Sequence, residues 1–287
     1  MYGQAMASER VRGRRGVIAG AVAVAALGCS GSKTEAGDEA AGSGSCPVAA
    51  LVCEDFEGQP LGQAPGAPWT PEGEGTALVD DQRAFGGRHS LRLETTAGWD
   101  GRALLGLSDA ALFPTTHLFG RARLYLTEAS PDGVHWTMVQ ASGPTEAEGV
   151  WDGPFTAELR YGGQHQQRLM ANYDTPGTYD TPPAGPASDC WQHSQTVMPQ
   201  GQWTCMEWEF DAETDTMRLW FDGAAIEDLT VGTMGEGCVN PGTAEVWYYP
   251  DSFEAMHIGW VDYQNTGGSR ELWIDDVALG TERMGCD

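Results

Sequence analysis

Apolar and polar residues alternate in short runs along most of this chain, with the period of two that belongs to β-strands. In the run 155–161, Thr156, Glu158 and Arg160 fall on one face, and Phe155, Ala157, Leu159 and Tyr161 on the other. The pair Gly162-Gly163 then predicts a tight reversal or bulge, with Gln164 directly after it and a return strand over 168–174. Runs 88–94 and 120–126 alternate in the same way, the second opposing Arg121, Arg123 and Tyr125 to Ala122, Leu124 and Leu126. The run 134–140 places His135, Thr137 and Val139 on one face. Strands over 203–210 and 217–221 are joined by the acidic turn 211–215, and Asp222-Gly223 adds a hairpin signal. Two closing strands follow near 255–263 and 271–279. No stretch has a convincing helical period. Segment 175–200, rich in Pro, Thr, Ser and Gly, reads as a long loop of the kind that forms lids or insertions. About a dozen strands predict an all-β fold, one β-sandwich of jelly-roll type rather than two small domains.

The first 45 residues do not share this pattern. Arg10, Arg12, Arg14 and Arg15 precede the apolar run Val17 to Leu27, which ends in Gly28 and Cys29. A basic stretch followed by a short apolar one predicts a secretory signal, too short to span a bilayer as a helix. Its Ala-Leu-Gly-Cys end resembles a bacterial lipobox, which implies cleavage after residue 28 and a diacylglyceryl group on the Cys29 sulfur. An ordinary signal peptide cut elsewhere is the alternative. Residues 29–45 are small and acidic and predict a flexible tether. Residues 46–287 then form the single domain. The expected location is exported and lipid-anchored in the bacterial cell envelope, at the outer membrane or cell surface.

The 287-residue chain carries a formal charge of −25. Without residues 1–28, which hold four arginines and Glu9, 12 basic residues face 40 acidic ones, or −28. A surface of that sign argues against nucleic acid as a partner. It suits a domain that binds cations, and it counts against a polyanionic substrate unless the cleft is locally basic. Seven cysteines fit an oxidising compartment. With Cys29 lipidated, Cys46, Cys53, Cys190, Cys205, Cys238 and Cys286 remain, and six cysteines allow fifteen pairings. The eleven tryptophans are core candidates; Trp99, Trp136, Trp151 and Trp191 are the ones that fit a sugar-binding groove instead.

Candidate chemistry concentrates on the run 155–174. Arg160 and Gln164 bring a guanidinium and a carboxamide to the mouth of one hairpin, donors that fork onto a carboxylate. The alternative is a surface hairpin whose arginine pairs with Glu158. Glu158, Glu207 and Glu209 are acids of the type a glycoside hydrolase needs, but no spacing singles out a facing pair.

Several separated pieces occur in order over residues 53–286: Asp55-Phe-Glu57, Gly87 to Leu91, Val134-His135, Leu159-Arg160 with Gly162-Gly163-Gln164, Asn172-Tyr-Asp174, and Met198-Pro199 with Gly201. Cys205-Met-Glu207, Trp220 with Asp222-Gly223, Gly259-Trp260 with Tyr263, Trp273 with Asp275-Asp276, and Gly285-Cys286 continue the series. The ordered set resembles the core domain of the fungal cellulose-induced secreted protein family, a jelly roll similar to glucuronan lyases and alginate lyases. That resemblance implies a structural calcium held by Glu57, the Gly86 carbonyl, His89 and Asp275. His89 stands where the family has asparagine, so its backbone carbonyl would serve, since calcium takes hard oxygen ligands. The resemblance also implies cleft residues His135, Arg160, Gln164 and Tyr263, with Asp180 as a further cleft acid, and a Cys205–Cys286 bridge.

The implied activity is β-elimination on a uronic-acid polysaccharide. Arg160 and Gln164 would neutralise the C6 carboxylate and so acidify the C5 proton. Tyr263 and His135 would share the base and acid roles, the histidine titrating in range without help. A non-catalytic carbohydrate-binding domain on the same scaffold is the alternative, with an adhesive or packing role for an envelope lipoprotein as a fallback. The expected partners are a polysaccharide and a membrane, the latter through the lipid anchor, and a monomer is expected.

Overall fold

The structure, a computed structural model, describes residues 46–145, 155–174, 189–239, 247–265 and 267–286. The expected signal peptide, Cys29 and tether, together with Trp151 and Asp180, lie outside the described residues. In chain order the first strands are β1 (Val52–Glu54), β2 (Thr70–Glu72), β3 (Thr76–Asp80), β4 (Ser90–Glu94) and β5 (Gly101–Leu107). Then come β6 (His117–Leu126), β7 (Trp136–Thr145), β8 (Phe155–Gly163), β9 (Arg168–Asp174) and β10 (Asp189–Val197). The last are β11 (Trp203–Asp211), β12 (Thr216–Phe221), β13 (Ala224–Ala225), β14 (Gly237–Val239), β15 (Ala255–Asp262) and β16 (Glu271–Gly280). Two single 3₁₀ turns are the only helical segments among the described residues.

The strands form two antiparallel sheets. One runs β13-β12-β11-β6-β16-β4-β3 with β1 added to β16; the other runs β14-β10-β9-β8-β7-β15-β5-β2. This is the all-β jelly-roll sandwich expected from the alternation. Inward faces meet in one core, with Leu91, Leu124, Trp208, Phe210 and Ile274 from the first sheet and Leu159, Tyr161, Ile258 and Trp260 from the second. Trp136 belongs to this core, stacked on Trp260 with ring centres 4.4 Å apart. It is not a groove residue, because the step from β7 to β15 puts both indoles on the inward side.

Three local expectations change. The reversal after Tyr161 does not occur at the glycine pair: β8 continues through Gly163 and the chain turns at His165–Gln167. The glycines serve close approach instead, since a Cβ at Gly162 would stand 1.8 Å from the Trp136 carbonyl oxygen. In β7 the register against β8 shifts between Thr137 and Val139. That bulge moves Val139 into the core and leaves Gln140 on the outward face with Thr137. The segment read as one loop over 175–200 contains β10, which joins the second sheet between β9 and β14.

Three disulfides close the framework: Cys46–Cys53, Cys190–Cys238 and Cys205–Cys286. The last is the pair implied by the family resemblance. It pins the C-terminal residues onto β11, where Arg283 and the Gly285 N–H donate to the buried Glu207 carboxylate. Glu207 and Glu209 thus lie on the opposite sheet from Glu158, so the three acids make no facing pair.

Candidate functional site

The outward face of the second sheet carries the candidate site. Cα partners across β15, β7, β8, β9 and β10 place His257, Gln140, Arg160, Asn172 and Trp191 in one line perpendicular to the strands. Gln140 and His257 contact one another, Nε2 to Nδ1 at 3.4 Å, and His257 Nε2 lies 3.1 Å from Glu72 Oε1. The Asn172 amide donates to Asp189 Oδ1 at 2.6 Å and to the Cys190 carbonyl at 2.8 Å. Sequence reading missed Gln140, His193 and His257. The bulge in β7 hid the first, and no local pattern distinguishes either histidine from a surface one.

Toward the ends of the same strands the expected residues converge. His135 precedes β7, Gln164 follows β8 and Tyr263 follows β15, and the Tyr263 N–H donates to the His135 carbonyl at 2.9 Å. The imidazole and phenol rings lie 4.9 Å apart. Arg160 stands with Cζ 5.7 Å from the centre of the Tyr263 ring. The Tyr263 hydroxyl is 3.1 Å from Thr137 Oγ1, and Gln164 Nε2 donates to the Gly133 carbonyl at 3.5 Å. A cavity of about 390 Å³ opens here, lined by His135, Gln164, His165, Met170, Asp189, Trp191, His193 and Gln264. That volume is ample for a small ligand or part of a polymer. Trp99 is 71% exposed, on the turn whose Asp100 N–H donates to the Tyr263 carbonyl at 3.3 Å.

Two electrostatic facts govern this face. Arg160 Nη2 donates to Glu158 Oε2, so the guanidinium is already paired within the protein. His135 is pushed down to about 4, by burial first and then by the charges of Arg160 and His193. It is therefore neutral at ordinary pH, not poised to titrate near neutrality. Its Nε2 is buried with no hydrogen-bond partner among the described residues.

Of the residues implied for calcium, Asp275 lies on β16 of the other sheet, and Glu57, Gly86 and His89 lie in the segments after β1 and before β4. Glu57 Oε1 accepts the backbone N–H groups of Arg88 at 2.6 Å and His89 at 2.7 Å. Asp275 Oδ2 accepts those of Phe85 at 2.8 Å and Gly86 at 3.2 Å. Gly87 adopts a φ of +59°, and a Cβ there would lie 2.3 Å from Glu57 Oε1. The two acids thus grip one glycine turn. A bulge in β16 between Asp275 and Ala278, with Asp276 at φ 49°, brings a second acid beside the first. Burial first, then the neighbouring Asp276, drives Asp275 up to about 7 against the lowering effect of its backbone hydrogen bonds. Carboxylates are the oxygen ligands a hard divalent cation takes, although the turn meets Glu57 and Asp275 with N–H groups rather than carbonyls. Another group, His117, Glu209 and Asp211, brings three ligand-type atoms within 4.8 Å of one another. Its oxygens are occupied: Arg218 donates to Glu209 at 2.6 Å and Thr214 to Asp211 at 2.6 Å.

A family model described as polysaccharide-lyase-like, Cip1-like core domain, matches residues 63–282. Among solved structures the chain is similar to a cellulose-induced protein, Cip1, with 21% identity and a TM-score of 0.57, covering 82% of this chain and 100% of that one. It is similar to an endo-β-1,4-glucuronan lyase from the fungus Trichoderma reesei, with 18% identity and a TM-score of 0.52, covering 81% and 96%. An alginate lyase, vAL-1, from Chlorella virus aligns at 8% identity and a TM-score of 0.50, covering 76% and 94%. At these identities the likeness establishes the fold. No curated protein sequence matches the chain.

Proposed function

The chain belongs to the polysaccharide-lyase-like family as a Cip1-like core domain, and on that premise we propose that it cleaves a uronic-acid polysaccharide by β-elimination. The observation that carries this is the convergence of His135, Arg160 and Tyr263 within ring-contact distance on one outward sheet face, with Gln164 lining the adjoining cavity. Arg160 and Gln164 supply the charged and neutral donors that stabilise the enolate-like C6 carboxylate as the C5 proton leaves. A neutral His135 with a bare Nε2 accepts that proton, and the Tyr263 phenol beside it shares the transfer. The electrons of the broken C5–H bond form the C4=C5 double bond, and the C4–O bond breaks.

The test is release of unsaturated uronides from glucuronan and alginate, read as ultraviolet absorbance with residues 46–287. The acid limb of the rate should lie near pH 4, where His135 gains a proton and ceases to be a base. A limb near pH 6.5, the ordinary histidine value, would remove His135 from that role. No unsaturated product from a broad polyuronate panel would overturn the lyase proposal.

A second reading has its own observation. Because Glu158 already pairs with Arg160, the cleft presents hydroxyl-matching amides more openly than an unshielded cation, and Trp99 stands exposed on the turn bonded to the Tyr263 backbone. A neutral glycan bound without cleavage fits that pattern. Binding on a glycan array without any lyase product would establish it.

We also infer that calcium binds at Glu57 and Asp275 with the carbonyls of Gly86 and His89, tying β1 and β16 to the turn before β4. Chelation should lower the melting temperature by about 5–10 °C, from about 2.7 kcal/mol of linkage at a hundredfold excess over Kd and about 2–4 °C per kcal/mol. An unchanged melt would remove the ion. Cys29 remains the proposed lipid attachment point and an envelope surface the proposed location.

A further inference from the structure

One residue lining the cavity is not used by the chemistry above. Trp191, on the outward face of β10, is half-buried and lines the same cavity as His135 and Gln164. Its cross-strand partner on β14 is Gly237. A Cβ at that glycine would stand 2.9 Å from Trp191 Cζ2 and 3.1 Å from Cε2, so the indole lies across bare backbone. A larger residue at 237 would push the ring away. Two further ties hold the platform. The Glu236 N–H donates to the Trp191 carbonyl at 2.9 Å, and the Cys190–Cys238 disulfide joins the adjacent pair of residues. The ring is therefore a fixed apolar wall in a cavity whose other lining groups are mostly polar.

Register gives the spacing. Trp191 pairs with Asn172 on β9, which pairs with Arg160 on β8. Arg160 and Trp191 thus leave the same sheet face two strand spacings apart, about 10 Å. That separation puts Trp191 under a sugar next along the chain, not under the sugar whose carboxylate Arg160 meets. The C–H groups on the flat side of a pyranose carry small positive charges and pack on the negative face of an aromatic ring.

Charge decides which sugar. Asp189 lines the cavity two residues before Trp191, with Oδ1 accepting from the Asn172 amide at 2.6 Å. Glu236, one residue before Gly237, brings a second carboxylate, whose Oε2 lies 2.7 Å from His193 Nδ1. No arginine or lysine is among the residues lining the cavity. Arg168 is four residues from Asn172 along β9, roughly 13 Å. Of the imidazoles, His193 is bonded to Glu236, His135 is held neutral by burial, and His165 is exposed on the turn after β8. A second uronate over Trp191 would bring its carboxylate beside two fixed acids with no forked cation to meet it, and like charges brought together are costly.

Resting on the lyase assignment, we infer that Trp191 is the platform of a subsite for a neutral sugar, and that the substrate is a mixed polysaccharide whose uronic acids are flanked by neutral residues. The sugar at Arg160 supplies the carboxylate that elimination needs. Its neighbour supplies a flat apolar face and no charge. A polymer of that kind carries fewer charges per length than a polyuronate, which suits a chain as acidic as this one.

The experiment compares residues 46–287 as wild type, Trp191→Phe and Trp191→Ala, with melting temperatures as the control for folding. The substrates are glucuronan, whose sugars are all uronates, and hyaluronan, in which glucuronate alternates with a neutral N-acetylhexosamine. Wild type should cut both, with kcat/KM about tenfold higher on hyaluronan, the scale of avoiding one close pair of like charges. Trp191→Ala should raise KM on hyaluronan about tenfold with kcat little changed, the scale of one aromatic contact. Trp191→Phe should keep most of the affinity, and KM on glucuronan should change little in either variant. In ¹⁵N-indole spectra, the Trp191 signal, identified by its loss in Trp191→Phe, should shift when a hyaluronan oligosaccharide is added, whether or not the sugar is cut. Active wild type with an unmoved indole signal and an unchanged hyaluronan KM in Trp191→Ala would overturn the platform. Faster cleavage of glucuronan than of hyaluronan, or an equal rise of KM on both in Trp191→Ala, would overturn the preference for a neutral neighbour. Wild type that releases no unsaturated product from either polymer would overturn the elimination, while a shifted indole signal would keep the subsite as part of a binding cleft.

Discussion

Arg160→Ala should lower turnover of a uronate polymer by about 100- to 1,000-fold, the scale of losing one donor from a developing oxyanion. The expected effect is large because nothing else described near Tyr263 replaces a forked cation. Arg160 sits between the partner residues Gln140 and Asn172 in the line across the sheet, and neither side chain carries charge. Arg160→Lys should recover little, since a point charge on a flexible stem does not reproduce the planar fork. The substitution has a folding cost that must be separated from catalysis. Glu158, with a side chain only 14% exposed, would lose its cation and face desolvation without its salt-bridge partner. The double variant Arg160→Ala with Glu158→Gln removes both charges and should melt closer to wild type while remaining inactive. Wild-type rates in Arg160→Ala would take this residue out of the mechanism.

The largest stability effect is expected at Asp262, which precedes Tyr263 and is fully buried. Its Oδ1 accepts from Ser130 and from Trp260 Nε1 at 2.9 Å. Its Oδ2 accepts from Asn265 Nδ2 at 2.9 Å and faces Arg270 Nε at 3.4 Å. Asp262→Ala leaves the buried Arg270 with only the exposed Glu128 carboxylate at 3.9 Å and the carbonyls of Ala129 and Gly268, and breaking a buried pair from one side costs about 3–5 kcal/mol. At about 2–4 °C per kcal/mol for a domain of this size, the melting temperature should fall by about 6–20 °C. Adding Arg270→Met to Asp262→Ala should return part of the loss, because the stranded charge is gone. A fall below about 1 kcal/mol in Asp262→Ala would show that the network contributes little. The same variant should also slow turnover, since the backbone carrying Tyr263 and, through it, His135 is anchored at this point.

The alternation in 155–161, 120–126 and 203–210 was legible because each run has one face on the core and one outside, and the period of two follows directly. β10 was not, since its sequence Asp-Cys-Trp-Gln-His-Ser-Gln-Thr-Val buries only Cys190 and Ser194. Its outward face mixes Asp189, Trp191 and His193 and its inward positions are small, so no apolar rhythm marks it. The bulge at Thr137–Val139 was equally silent. One extra residue in β7 reassigns every later side chain to the other face, and only pairing with β8 and β15 reveals it.

From its own residues the chain determined an all-β sandwich. The ordered motifs pointed to the His135, Arg160, Gln164 and Tyr263 set and to the Cys205–Cys286 bridge. These follow from local alternation and from residue types whose order is preserved along the chain. Tertiary structure alone decided that Trp136 is core and that Glu158 already holds Arg160. It also decided that His135 is neutral and that Glu236 reaches His193 from 43 residues away. Protonation and pairing depend on desolvation and on charges brought close by strand packing, and no spacing in the sequence encodes a distance through space.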